Sequence, residues 1–533
     1  MAKKLHEATF LVVDDFQGMR AMLKDFVRAM GVANVDTATN GRDALRQLSA
    51  KRYDVVICDF NLGPGQNGQQ VMEESKLRDY IGVSTIWVMV TAEKTTDMVM
   101  GAAEVKPDDY ILKPLNQALL QSRVEKLMQK KQSLGGIERA IKERDYQRAI
   151  LECDQQLQLQ PVGTQEILRI KADLLLNTGD HDAAKALFES VLAVRSIPWA
   201  TTGLGKIRYH AGDWAGAKEL FEQVLRDNRM YMEASDWLVK SLEAMGDLQQ
   251  AQQVLLNAVK LSPNSPQRQK TLGDTAYKNG ALDVAQAAFE QTIKISEFSP
   301  YKNPAAFTGL AKVFSDQGAP GEALKVLTKS KGAFKDNPEA TMQAAAAESL
   351  VYKQMGDQEK SDAALATAEQ LMAGLYGKVN PEVAMDMAKT LFAAGKKDKA
   401  CNVLRDLIKN NHENAAISSQ IEAVFKSEDL LGEGQALMHE ARQEVININN
   451  RGVLLAKNGE FEEGVKLLRT AVKDMPNSEV VIMNLCGLLL GLMRKEGKSD
   501  SLLHEAKDLL ERARQLNPGS KKYQAYVSAI TRM

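Results

Sequence analysis

The sequence predicts two folds in series: a doubly wound α/β domain on a five-stranded parallel sheet, then an all-α superhelical solenoid of repeated helix pairs. Three observations predict it. Short apolar runs alternate with amphipathic stretches over the first ~130 residues. From Gly135 onward the strand signal stops, and one turn-like string recurs, mostly at intervals of 33 to 39 residues. The chain, at 533 residues, is also too long for a single core.

The apolar runs cover residues 9–13, 35–38, 54–58, 85–90 and 110–112. Continuous apolar character fits strands buried on both faces of a parallel sheet. Between the first two runs, Met19, Met22, Leu23, Phe26, Val27 and Met30 recur at helical spacing over residues 18–30, and Gly31 follows as a stop. Asn40-Gly41 opens a second helix, and Gly68 leads into a third. Pro114 opens the domain's last helix, with Leu115, Leu119, Leu120, Val124 and Leu127 on its apolar side. Lys126, Lys130 and Lys131 complement the negative end of its dipole. "SLGG" at 133–136 reads as a break before the first repeat helix, and so short a junction favours direct packing of the two domains.

In a doubly wound sheet, ligands sit at the carboxyl ends of the strands. The first strand ends at Asp14-Asp15, the third at Asp59, the fourth at Thr91 and the fifth at Lys113-Pro114. Two adjacent aspartates repel unless something positive sits between them. Three converging carboxylates call for a cation, and oxygen ligands at this density suit Mg²⁺. The lysine and the hydroxyl suit an incoming phosphoryl group. The chemistry is then in-line phosphoryl transfer onto a carboxylate, with Asp59 as nucleophile and Mg²⁺ as charge clamp. An acidic strand end without chemistry would explain a lone Asp-Asp pair, but not this set of residue types on one rim.

These residues resemble the receiver domain of bacterial two-component response regulators, the CheY-like fold, over residues 1–132. The strings "VVDD", "VVICDFNL", "VTAEK" and "DYILKPL" carry the resemblance, with 44 residues from Asp15 to Asp59 and 22 from Thr91 to Lys113. The resemblance implies that Asp59 accepts phosphate from a histidine kinase or phosphotransfer protein. It implies that Asp14, Asp15 and Asp59 hold Mg²⁺, helped by the backbone carbonyl of Asn61. It implies that Thr91 and Lys113 contact the phosphoryl oxygens, and that Thr91 and Tyr110 are switch residues. Asn61 and Glu93 fall where the family tunes phosphate lifetime. Two departures stand beside the site: the loop "NLGPGQNG" is one residue longer than the common pattern, which shifts Pro64, and Pro107 replaces a usual small residue. Neither removes a reacting group.

After Gly135, "RDYQRAI" at 144, "GDHDAAK" at 179, "GDWAGAK" at 212, "GDLQQAQ" at 246 and "GALDVAQ" at 280 are variations on one turn. "GAPGEAL" at 318, "GDQEKSD" at 356, "GKKDKAC" at 395 and "GEFEEGV" at 459 continue it. This period resembles the tetratricopeptide repeat, two antiparallel helices per unit, over residues 135–533. Ala184, Ala217, Ala251, Ala285, Ala323 and Ala400 follow their turns at a fixed offset, and Phe188, Phe221 and Phe289 come four residues later. A small alanine lets two helices approach, the aromatic fills the gap, and Pro161, Pro263, Pro476 and Pro518 close units. About ten pairs are expected, including a degenerate one near "LLGEGQALMHEAR", with "KKYQAYVSAITRM" as a terminal capping helix. "GLGK" at 203–206 lacks phosphate-loop spacing and reads as packing.

The remaining composition narrows the function. A formal net charge of −1 argues against nucleic-acid or anionic-membrane binding. No apolar run reaches the ~20 residues that span a bilayer, so no membrane insertion and a cytoplasmic location are expected. Cys58, Cys153, Cys401 and Cys486 are far apart, and the six histidines are scattered, so neither a disulfide framework nor a zinc site is expected. The expected function is a response regulator, not an enzyme, whose phosphorylation modulates protein binding through the repeat groove. The coupling face would be built from the helix after the fourth strand, the fifth strand and the last helix. A homodimer through the receiver is left open. A constitutive repeat scaffold and a transcription regulator are the alternatives; the second lacks any segment for a basic recognition helix.

Overall fold

The computed structural model of the chain describes residues 5–92, 105–159, 162–375, 379–497, 499–517 and 520–531. Glu93, Pro161 and Pro518, singled out above, lie outside them. The chain divides into two compact units, Met1–Ala306 and Phe307–Met533. Among the described residues, no helix is long and apolar enough to cross a membrane.

Five parallel strands, β1 (Thr9–Val13), β2 (Asn34–Ala38), β3 (Val55–Asp59), β4 (Ile86–Thr91) and β5 (Asp109–Leu112), lie in the order β2-β1-β3-β4-β5. Every residue of β3 and β4 is buried, as continuous apolar runs require. Alternate side chains feed two apolar layers. Phe10, Val12, Ile57 and Val88 meet α1 (Gln17–Ala29) and α4 (Gln117–Lys131). Leu11, Val13, Val56, Cys58 and Trp87 meet α2 (Gly41–Ala50) and α3 (Gly68–Leu77). Parallel register sets Asp59 beside Val90 and Thr91 beside Leu112, so the strand ends share one rim.

The last helix of this domain departs from expectation. It starts at Gln117 rather than Pro114, because the Asn116 side chain accepts the Leu119 N–H and caps it there. Leu115, Leu120 and Val124 face inward, but Leu119 is 38% exposed. Lys131 is not a solvated partner of the helix dipole. It is buried, pairs with Asp108 at 2.7 Å and donates to the Thr85 carbonyl at 2.6 Å. Nor does "SLGG" break the chain. A 3₁₀ turn (Gln132–Leu134) runs directly into α5 (Gly135–Lys142), held by burial of Leu134 and Ile137 in the apolar core of the first repeats.

The rest is helical. α5 pairs with α6 (Tyr146–Gln158), α7 (Thr164–Asn177) with α8 (His181–Val194), and α9 (Pro198–His210) with α10 (Trp214–Asp227). α11 (Met232–Ala244) pairs with α12 (Leu248–Leu261), and α13 (Pro266–Lys278) with α14 (Leu282–Ile295). The recurring Gly-Asp turn has a simple mechanism. Gly246 adopts φ +79°, where a side chain is strained, and Asp247 then accepts the Gln250 N–H to cap the next helix. Arg144 in the first turn and Asp429 at the degenerate pair occupy the same left-handed position without a glycine. The six marker alanines are fully buried. The rings of Phe188, Phe221 and Phe289 lie over Gly203, Gly205 and Gly273, where no methyl group fits, so "GLGK" is a packing surface. In the second unit, the 27-residue helix Leu431–Lys457 packs first against Ala415–Ser427 and then against Phe461–Asp474. It thereby merges the degenerate pair with the one after it.

Within Met1–Ala306 the sheet domain rests on the first repeats through a tight joint. The Glu138 carboxylate of α5 accepts the backbone N–H of Ser84 at 2.6 Å and the Ser84 hydroxyl, and pairs with Lys142. Gly82 lies so close to this carboxylate that a Cβ would collide with it. Burial alone would raise the Glu138 carboxyl, but Lys142 and the two Ser84 donors outweigh it and hold the carboxyl below its ordinary range. A carboxyl depressed by folding adds stability that is complete above its unfolded value of about 4.5 and fades as pH falls through the folded value. Glu138→Gln is expected to lower stability at pH 7 by about 2 kcal/mol and to flatten the stability–pH curve below pH ~4.5. Denaturant unfolding of both proteins from pH 3 to 7 checks this; parallel curves would remove Glu138 as the acid-sensitive group.

Candidate functional site

The rim is built by the loops that leave β1, β3, β4 and β5. Asp14 ends β1 fully buried, and its backbone N–H donates to the Ala38 carbonyl. Its carboxylate accepts the Phe16 N–H at 2.9 Å, which turns the chain into α1. Asp15 points to solvent. Asp59 is 7% exposed and Thr91 3% exposed at the ends of neighbouring strands. Carboxylate oxygens of Asp14, Asp15 and Asp59 all lie within 4.8 Å of one another. Lys113 Nζ donates to Asp59 Oδ2 at 2.6 Å and to Asp14 Oδ2 at 3.2 Å. The lysine is thus the positive group that lets buried carboxylates coexist.

Burial pushes the Asp59 carboxyl above its ordinary range; Lys113 pulls against this and the Asp14 charge adds to it. Burial pulls Lys113 down, but hydrogen bonds and charge from Asp59 and Asp14 leave it raised, so it stays an ammonium ion. Three carboxylates, one of them open to solvent, with an all-oxygen donor set fit a hard divalent cation. Asn61, whose backbone carbonyl was expected to join them, lies exposed two residues after Asp59. Tyr110 is half-buried on β5 in the apolar layer beside α3. The long loop is carried by Gly63 and Gly65 at φ +74° and +108°, and Gly63 passes against the Asp15 carboxylate.

Three features escaped the sequence reading. Arg20 Nη1 donates to the carbonyls of Asp14 at 2.7 Å and Asp15 at 3.2 Å, fixing the acidic turn. Its place one turn into α1 is the only signal that marks it. Gly68 starts α3 against the backbone carbonyl of Asp59 and donates its N–H to Phe60 O at 2.7 Å. No Cβ fits between them, so Gly68→Ala is expected to displace Asp59 and lower phosphoryl uptake at least ~10-fold, as a small misplacement of a reacting group does. Wild-type uptake, measured by intact mass with a small-molecule phosphodonor, would rule that out. The third feature is where the repeats are touched. Lys106 and α3 make contacts there that the expected coupling face did not name; the helix after the fourth strand, which it did name, falls among residues 93–104, outside the described residues.

Known families match both parts. The response regulator receiver domain matches residues 10–125. Tetratricopeptide repeats match residues 169–228, 208–274, 270–338 and 382–411. Chemotaxis protein CheY of Pseudomonas aeruginosa is 30% identical over 120 residues, which are 22% of this chain and 95% of CheY. The solved structure of chemotaxis response regulator CheY4 of Vibrio cholerae is 27% identical, with TM-score 0.21, over 22% of this chain and 98% of that one. The crystal structure of MamA is 19% identical, with TM-score 0.28, over 32% of this chain and 95% of that one.

Proposed function

Because this chain belongs to the response regulator receiver family and continues into tetratricopeptide repeats, we propose that a histidine kinase or phosphotransfer protein phosphorylates Asp59, and that the output is protein binding through the repeat array. We take residues 1–132 as the phosphoacceptor and 135–533 as the array. The observation that carries the reading is the Asp59 carboxylate, 2.6 Å from Lys113 Nζ and grouped with Asp14 and Asp15 at the ends of the central strands.

An Asp59 carboxylate oxygen attacks the phosphorus of a phosphohistidine. The O–P bond forms as the P–N bond breaks, and the imidazole leaves with the nitrogen's electron pair and takes up a proton. Lys113 gives its ammonium charge to the transferring oxygens, where negative charge crowds against two further carboxylates. Thr91, at the end of the adjacent strand, offers a hydroxyl to the product phosphoryl group. Asp14, Asp15, Asp59 and the Asn61 carbonyl would hold Mg²⁺, which when bound supplies the neutralising charge that three carboxylates and a phosphoryl group require. Arg20 keeps the acidic turn in place through the two carbonyls it binds.

The test has two parts. Acetyl phosphate with Mg²⁺ is expected to add one phosphoryl group to the wild type, located on the peptide that carries Asp59, and none to Asp59→Ala. Affinity capture from host lysate, with and without beryllofluoride, is expected to recover a protein whose yield changes only in the wild type. No adduct would remove the phosphoacceptor role. Equal capture in every state would leave a constitutive scaffold.

A further inference from the structure

The sheet domain meets the first repeats in two places that differ in kind. The joint at Glu138 is dense, and Lys130 on α4 adds an ion pair to Glu166 on α7 at 2.9 Å. The second contact is an edge. Lys106 Nζ reaches Glu233 on α11 at 3.3 Å, and Gln70 Nε2 on α3 reaches the Ile295 carbonyl at 3.5 Å. Beside them lies a cleft, open to solvent, of about 1010 Å³. Glu73, Lys76 and Lys106 line it from one side, and Tyr231, Trp237 and Arg268 from the other. Close-packed interfaces leave no such volume, so this edge is seated without being locked.

Electrostatics agree. Glu233 already holds Lys206 at 2.6 Å and has Arg169 at 3.7 Å, with the Tyr231 hydroxyl at 3.3 Å. Lys106 is a third cation on one carboxylate, facing repulsion from Arg169 and Lys206, with Asp173 a further acid in the cluster. Repulsion from these two cations offsets part of its attraction to Glu233. Stacked repeats create extended surfaces that bind partners, and α7, α11 and α13 supply most of the array side of this cleft.

The edge is also tied to the phosphoacceptor. α3 begins at Gly68 against the Asp59 carbonyl, and its Gln70 both completes the helix cap with Asn67 and reaches Ile295. In its last turn, Lys76 donates to the Val105 carbonyl at 2.5 Å, next to Lys106. A single ten-residue helix spans from Asp59 to the array contact.

We propose that the edge formed by α3 and Lys106 is a built-in occupant of the repeat surface over α7, α11 and α13, and that a phosphoryl group on Asp59 lifts this edge about the Glu138 joint. The trigger rests on the phosphoacceptor role of Asp59; the seating does not. Release takes Lys106 off Glu233 and off the Tyr231 ring, 5.9 Å from its ammonium.

Carbodiimide cross-linking of the full-length protein tests it, because it joins amines to carboxylates only at ion-pair distance. In the unmodified protein, mass spectrometry is expected to find Lys106–Glu233 beside the reference links Lys206–Glu233 and Lys130–Glu166. Beryllofluoride with Mg²⁺ is expected to lower Lys106–Glu233 at least ~5-fold, the low end of ordinary coupling, with Lys130–Glu166 unchanged and Lys206–Glu233 unchanged or raised, because both lysines draw on the one Glu233 carboxylate. Absence of the first link at rest while Lys206–Glu233 forms would overturn the seating. A link that persists although ¹⁹F NMR shows beryllofluoride bound would overturn the release, and loss of Lys130–Glu166 as well would overturn the fixed joint. If beryllofluoride does not bind wild type, or binds Asp59→Asn equally, the phosphoacceptor reading fails and takes the trigger with it.

Discussion

Alanine at Lys113 is expected to slow phosphoryl uptake on Asp59 by about 10²–10³-fold, the usual cost of removing a charge aimed at a reacting anion. The same substitution should destabilise the fold. It leaves the buried Asp14 and Asp59 carboxylates without the ammonium that both contact, a loss of about 3 kcal/mol in divalent-free buffer. Millimolar Mg²⁺ should recover much of that stability, because a divalent ion answers the same carboxylates. Denaturant unfolding with and without Mg²⁺ checks it. The gain on adding Mg²⁺ should be larger in Lys113→Ala than in the wild type, and equal gains would mean that Mg²⁺ is held elsewhere. Asp59→Asn is the companion control: it takes up no phosphoryl group, since an amide lacks the attacking carboxylate.

The second large effect lies in the array. Phe221 is fully buried, with its ring against Gly205 of the paired helix. Phe221→Ala is expected to cost about 4 kcal/mol through lost burial and the cavity left behind. Gly205→Ala should cost about 1–3 kcal/mol by overpacking the same spot. Because both act on one contact, Gly205→Ala with Phe221→Leu should cost less than the sum of the two singles, by ~1 kcal/mol. A solenoid repeat touches only its neighbours, so the damage should stay local. Hydrogen exchange should quicken across residues 181–261 and stay unchanged around Val481–Met493. Uniform quickening would mean that the array unfolds as one unit.

Much of this was legible in the residues. Each strand was placed to within a residue, because parallel strands buried on both faces leave unbroken apolar runs. The rim could be read because a charged residue at the end of such a run has only the sheet's edge to occupy. The turns of the array could be read because a left-handed backbone demands glycine, or tolerates Asp or another residue at a cost. Arg144 and Asp429 mark where that signal faded.

Other residues could not be read. Lys131 follows Lys126 and Lys130 in what looks like a solvated basic helix end, yet it is buried on Asp108. Glu138 reads as an ordinary helix-surface acid, yet it receives a loop 54 residues earlier. Lys106 and Glu233 are 127 residues apart and carry no motif.

The sequence by itself determined the two folds, the charged residues gathered at the rim and the period of the repeats, since all three are local patterns of polarity and backbone strain. Only the tertiary structure decided that Lys113 bridges Asp14 and Asp59, that Gly68 must be bare against the Asp59 backbone, and that Lys106 meets Glu233 and Gln70 of α3 the Ile295 carbonyl. Periodicity fixes which side of an element is buried. Which charged side chains pair across elements depends on how those elements stack, and a lysine that will meet a glutamate looks no different in the chain from one that will meet water.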